Sequence, residues 1–166
     1  ADPASLQLPG ATVFVAGDVH PDRPLVHEAA DEGVIAARGA LASLDGRAAP
    51  RTNRRTPLGI VFTDPDICSV GTPFDALEPQ SIVIGTAEGT GNGRSRVLHA
   101  PSNLVRVYAS RKDGRLLGAS LMSVKGEHLA HQLAWATHRG ETVDSLLEMP
   151  SYHYTVEEML QSALKD

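Results

Sequence analysis

The sequence predicts an α+β domain, an antiparallel sheet flanked by helices, preceded by a strand–helix tail of a separate α/β domain. Three observations carry this. From Leu58 to Ser123 the chain reads as short strands broken by turn residues, with Asp113-Gly114 marking a hairpin. Residues 126–166 then read as helices, and strands followed by helices is the α+β order. Before both, Val13-Phe14-Val15-Ala16 is a continuous apolar run ending at Gly17-Asp18 and leading into a helical pattern, which is one unit of an α/β domain.

The composition fits that class. The chain has 166 residues, 42% apolar and 21% charged, within the range of globular domains. A net charge of -5 gives no reason to expect nucleic acid or an anionic membrane as partner. No apolar run is long enough to span a bilayer, and Ala1-Asp2-Pro3 does not open like a signal peptide. With Cys68 as the one cysteine, an internal disulfide is excluded, and a reducing, cytoplasmic setting is the expectation.

Each element has its own signal. Leu25, Ala29, Ile35, Ala36 and Leu41 recur at roughly helical spacing, with Pro24 near the start. The strand at residues 13–16 has no evident parallel neighbour, so residues 1–45 are expected to be the tail of a larger domain. Residues 46–57, polar and basic with two prolines, read as a linker whose arginines are solvated. Gly59–Thr63 reads as a strand stopped by Asp64-Pro65-Asp66. Thr72–Leu77 reads as a short helix capped by Thr72, with Pro73 in its first turn. Ser81–Ala87 is a further strand, and Gly89–Gly93 a flexible turn leading to Arg94–His99. Leu104–Ser110 and Leu116–Ser123 flank the hairpin turn. Gly126–Arg139 is an amphipathic helix burying Leu129, Leu133 and Ala136, stopped by Gly140. Val143–Glu148 and Thr155–Leu164 are the last two helices.

Five groups of residues are candidates for chemistry. His153 lies in a loop, and Glu158 follows in the first turn of the last helix. A histidine held by a carboxylate moves protons near neutral pH. The same spacing also makes Thr155 and Glu158 a capping box, and the spacing leaves both readings open. Asp18 closes a turn at the carboxyl end of the first strand, where α/β ligands bind, though a turn aspartate needs no ligand. Gly89–Gly93 lacks the helix and acidic residue of a dinucleotide fingerprint. His128, His131 and His138 share a helix without an evident third ligand at close range, so no metal site is expected. Cys68 sits among apolar neighbours, Ile67 and Val70, and reads as a buried structural thiol.

Three segments carry a resemblance. Val13–Val19, followed by Leu25, His27, Ala29, Glu32 and Gly33, resembles the second FAD signature of the pyridine nucleotide–disulfide oxidoreductases. Val61–Ile67 with Val70-Gly71 resembles the opening of that family's dimerisation domain, and Leu116–Ala119 also fits. His153–Glu158 resembles its His-Pro-Thr-x-x-Glu motif, with Tyr154 where proline is usual. The resemblance implies the following expectations. Residues 1–45 are the end of an FAD-binding domain, with Gly17, Asp18 and Ala29 at the cofactor. Residues 46–57 are a linker, and residues 58–166 a dimerisation domain through which the chain forms a homodimer. His153 and Glu158 are the proton-transfer pair at the disulfide–flavin site of the partner subunit, acting on a dithiol/disulfide substrate. A trans peptide is expected between His153 and Tyr154, because a non-proline cis bond costs about 3 kcal/mol.

No Cys-x4-Cys pair and no Gly-x-Gly-x-x-Gly occur in the sequence. The chain is therefore expected to be a fragment of a longer FAD- and NAD(P)H-dependent enzyme, inactive and cofactor-free by itself. The rival reading is a free-standing homodimeric scaffold module without catalysis.

Overall fold

In the computed structural model, which describes residues 1–20 and 23–166, the turn at Asp113-Gly114 organises the sheet. Gly114 takes φ +68°, a left-handed conformation that a Cβ disfavours. This turn joins β4 (Leu104–Ser110) to β5 (Leu116–Ser123). On one side β5 pairs with β2 (Asp66–Gly71) and β2 with β1 (Leu58–Val61). On the other, β4 pairs with β3 (Ile82–Glu88). The result is a five-stranded antiparallel sheet in the order β1-β2-β5-β4-β3.

Alternation along the strands gives the sheet a buried face. Cys68, Val70, Val105, Val107 and Leu121 point into one core. α3 (Gly126–Arg139) covers β2 and β5, and brings Leu129, Leu133 and Ala136 to that core as its periodicity requires. Gly140 ends α3 at φ +72°. α4 (Val143–Leu147) starts in a capping box between Thr142 and Ser145. α5 (Glu158–Lys165) lies on β3 and buries Met159 and Ala163. Its approach is close. A Cβ at Gly85 would collide with the Ala163 carbonyl oxygen. The far end of α5 is fastened by the Thr86 N–H, which donates to the Asp166 carboxylate at 3.1 Å.

This unit, Thr56–Asp166, departs from the sequence reading in four places. Residues 66–71 form a strand where only a stop was read. Strand alternation then turns Ile67 outward, 50% exposed, while Cys68 and Val70 are buried. Thr72 caps nothing. The segment is a single 3-10 turn, Phe74–Ala76, after Pro73. Gly89–Gly93 is not a flexible turn. It is a 3-10 turn whose Gly89 is buried, and Gly93 opens a short helix, α2 (Gly93–Val97). Finally, α5 begins at Glu158 rather than Thr155.

The other compact unit, Ala1–Arg55, is built on α1 (Val26–Leu44). The run Val13–Ala16 is not a strand buried on both faces. Phe14 makes one bridge, to Gln7, and Val13 is 51% exposed, because residues 6–8 are the only backbone neighbours it has among the described residues. The buried stripe of α1 is also polar at its start: Glu28 and Glu32 precede Ile35, Gly39 and Ala42. Leu41, expected on that stripe, is exposed. Arg54 explains the acidic stripe. It is not solvated but reaches Glu28 at 2.6 Å and Glu32 at 2.9 Å. Burial works against the guanidinium charge, and the two carboxylates outweigh it, holding Arg54 above its ordinary pKa.

Gly85 tests the packing of α5. In most strands alanine outranks glycine, but here the new methyl meets backbone that cannot step aside. Gly85→Ala is expected to cost about 1–3 kcal/mol, read in urea unfolding as a lower midpoint with an unchanged slope.

Candidate functional site

The loop between α4 and α5 carries His153, and the first residue of α5 is Glu158. The turn of chain between them brings the two together: His153 Nδ1 and Glu158 Oε1 are 3.0 Å apart. The other oxygen of Glu158 accepts the Thr155 N–H at 3.1 Å. One carboxylate therefore fastens the side chain and the backbone of the same loop. These two bonds, the His153 contact first, hold the Glu158 carboxyl below its ordinary value. An ionised carboxylate only accepts, so the imidazole must carry its proton on Nδ1. Nε2 is then the basic nitrogen, and the His153 side chain is 83% exposed to whatever approaches it.

The capping box is half formed. Glu158 reaches back to the Thr155 N–H, but the Thr155 hydroxyl donates to the Tyr152 carbonyl at 3.0 Å instead of capping α5. Tyr154 sets its ring edgewise against the imidazole, centroids 5.7 Å apart. The His153–Tyr154 peptide is cis, where the sequence reading had it trans.

Residues that the sequence reading passed over support this loop. Asn92 accepts the Ser95 N–H at 2.8 Å as the N-cap of α2, and its amide donates to the Thr155 carbonyl at 2.9 Å. Ser95 and Asn103, both buried, continue the chain of bonds inward. The available signal was Asn92 followed three residues later by Ser95, a helix start hidden in a glycine-rich run.

In the N-terminal unit, Gly17 turns the chain at φ +80°, and His20 N–H donates to its carbonyl at 2.7 Å. The Gly17 N–H donates to the buried Glu32 carboxylate at 2.7 Å. A Cβ at Gly17 would touch that of Ala29 at 3.7 Å, so these two are neighbours. Asp18 sits on this turn with its side chain exposed. The structure thus brings Gly17, Asp18 and Ala29 to one place.

The remaining candidates stay apart. His131 contacts its own helix backbone at Glu127, His128 pairs with Glu127, and His138 meets Thr56. Cys68 is buried against the start of α3, and burial first, then Asp66 and Glu127, push its thiol up to about 11. It remains a protonated thiol at neutral pH and is a poor nucleophile. No helix among the described residues is long and apolar enough to cross a membrane.

Residues 58–164 match the family described as pyridine nucleotide-disulphide oxidoreductase, dimerisation domain. Among curated proteins, dihydrolipoyl dehydrogenase of Halobacterium salinarum is 33% identical over 156 residues, covering 91% of this chain and 31% of that protein. Dihydrolipoyl dehydrogenase of Haloferax volcanii is 31% identical over 160 residues, 93% of this chain and 32% of that one. The chain therefore spans about a third of the length of these relatives. Among solved structures, LpdA from Mycobacterium tuberculosis superposes with a TM-score of 0.75 at 22% identity, over 92% of this chain and 33% of that one. The HOCl-induced flavoprotein disulfide reductase RclA from Escherichia coli gives 0.74 at 21% identity, over 92% of this chain and 35% of that one. At such identities the two structures speak for the fold, an antiparallel five-stranded sheet with helices.

The pairing of His153 with Glu158 has a direct readout. Glu158 is held lower in the folded chain than in the unfolded one. Its contribution to stability is therefore complete at neutral pH and is lost as pH falls through its folded pKa. A carboxyl-resonance titration is expected to place Glu158 below the ordinary glutamate value of about 4.3. His153→Ala should move it part of the way back, because the Thr155 N–H still donates.

Proposed function

The chain belongs to the pyridine nucleotide–disulphide oxidoreductases through its dimerisation domain, and from this we propose that it is the dimerisation portion of an FAD-dependent NAD(P)H–disulfide oxidoreductase resembling dihydrolipoamide dehydrogenase. In this reading residues 58–166 form a homodimer, and His153 and Glu158 serve the disulfide–flavin site of the partner subunit. Residues 1–45 are the end of the FAD-binding domain, and residues 46–57 connect the two. The observation that carries the reading is the 3.0 Å contact between His153 Nδ1 and Glu158, on a histidine side chain that is otherwise largely exposed.

The chemistry follows from the thiol. A dithiol attacks a disulfide only as thiolate, and a free thiol has a pKa of about 8.5. His153 Nε2 takes the thiol proton. The thiolate then bonds to one sulfur of the disulfide, and the other sulfur leaves with the electron pair. Glu158 stabilises the imidazolium so formed and keeps the ring in place. On the reverse path the imidazolium returns the proton.

FAD, when bound, carries electrons between the nicotinamide and the disulfide. The residues of this chain that fit it are Gly17, Asp18 and Ala29. The exposed Asp18 carboxylate accepts hydrogen bonds, as a polyhydroxyl chain requires, and its turn is fastened by Glu32.

Two measurements test this. Sedimentation of the chain at high concentration is expected to give a dimer, and a strictly monomeric species counts against the dimer assignment. In the longer enzyme, His153→Gln is expected to slow the dithiol–disulfide half-reaction by about 10²–10⁴-fold while leaving the nicotinamide half-reaction nearly intact. Glutamine fills similar space but takes no proton. Glu158→Gln should do less. A dithiol half-reaction at the normal rate in His153→Gln would return His153 to an ordinary loop residue, as the scaffold reading has it.

A further inference from the structure

The proton-transfer chemistry makes no use of three buried polar side chains, Asn92, Ser95 and Asn103. Burying amides and a hydroxyl is costly unless each finds partners. Here each does, in one continuous chain. The Val124 N–H donates to Asn103 Oδ1 at 2.9 Å, and Asn103 Nδ2 donates to Ser95 Oγ at 3.0 Å. Ser95 Oγ donates to the Met159 sulfur of α5 at 3.4 Å. The Ser95 N–H donates to Asn92 Oδ1, and Asn92 Nδ2 donates to the Thr155 carbonyl. The chain begins where β5 ends and finishes on the loop of His153.

Asn92 is the link that matters for the site. Its amide meets two opposite demands with one side chain, accepting from α2 and donating to the loop. Thr155 in turn meets Glu158 through its N–H and Tyr152 through its hydroxyl. The residues on either side of His153 are thereby tied to a rigid, satisfied network. By contrast, the His153 ring itself is held by a hydrogen bond to Glu158 and an edgewise contact with Tyr154, its only such contacts among the described residues. We propose that Asn92 is a positioning residue, whose amide holds the Thr155 carbonyl and so fixes the loop that presents His153 to Glu158. Its catalytic consequence rests on the proton-transfer reading above, whereas its geometric role does not.

The test uses the 166-residue chain and needs no turnover. Asn92→Ser keeps a good N-cap for α2 but ends short of the Thr155 carbonyl, and it adds no charge. The readout is the tautomer of His153, from two-bond proton–nitrogen correlation spectra. A neutral imidazole in water prefers its proton on Nε2, and the Glu158 carboxylate reverses this in the native loop. The expected result is an Nδ1–H tautomer in the native chain and its loss in Asn92→Ser, with the circular dichroism of the fold retained. An unchanged tautomer in Asn92→Ser overturns the proposal. Should that variant fail to fold, the native chain still decides. A scalar coupling across the hydrogen bond from the Asn92 amide to the Thr155 carbonyl is expected, and its absence overturns the proposal. The two readings separate in the longer enzyme. Loss of the tautomer with an unchanged dithiol half-reaction defeats the proton-transfer role of His153 and leaves the role of Asn92 standing.

Discussion

The eight residues of α5 are too few to stay helical in water by themselves, so their place is set by the sheet beneath them. The contact that sets it is between two backbones. The Ala163 carbonyl occupies the space that any side chain at position 85 would need. Met159 and Ala163 complete the seat from the helix side, both fully buried. Because this contact is backbone on backbone, it admits little sliding, and the first residue of α5, Glu158, inherits its position. The site at the mouth of the last loop is thus a consequence of how tightly a central segment of β3 is packed.

Magnitude separates the stabilising part of the His153–Glu158 contact from the proton-transfer role proposed for it. Exposed ion pairs contribute about 0–1 kcal/mol, and this one lies at the surface. A general base acting on a thiol is worth about 10²–10⁴-fold, which is about 3–5 kcal/mol at 1.36 kcal/mol per decade. The supporting structure is out of proportion to the smaller figure. Three buried polar groups, each of which would be costly if unpaired, are arranged so that the last of them holds the loop carbonyl. Such an arrangement is understandable if loop geometry matters beyond folding.

The parts of the fold that were legible in the sequence are those where local signals and tertiary packing agree. Asp113-Gly114 demands a tight turn, and Leu129, Leu133 and Ala136 mark a buried face at helical spacing; both were read correctly. β2 escaped because Asp64-Pro65-Asp66 looks like a terminator and Cys68-Ser69 has no strong strand bias. Its strand character comes from pairing with β5, to which it lies antiparallel throughout. The run Val13–Ala16 was read as a strand with no parallel neighbour in this chain, and here it makes a single bridge, Phe14 to Gln7, with Val13 exposed: periodicity marks an apolar run but cannot supply the neighbours that would make it a regular strand. Arg54 looked solvated because its partners lie on a helix more than twenty positions earlier. The same limit hid Asn92. A glycine-rich run suggests flexibility, whereas its asparagine is buried and makes bonds to two elements.

A common device emerges in the two units taken separately. In the N-terminal unit, Glu32 is buried and its charge would be prohibitive without partners. Arg54 supplies one, and the Gly17 N–H supplies another. The carboxylate therefore spends one oxygen on an ion pair and the other on the backbone of an exposed turn. In the C-terminal unit, Asn92 spends one end of its amide on a helix cap and the other on the backbone of an exposed loop. Each anchor grips main chain, not the side chain proposed to work. Asp18 and the His153 side chain stay exposed while the backbone beneath them is held. An apolar residue in place of Glu32 or Asn92 could match the packing, and the burial cost would vanish with it. It could not hold an N–H or a carbonyl in one position, and that is the property for which a buried polar side chain is worth its desolvation.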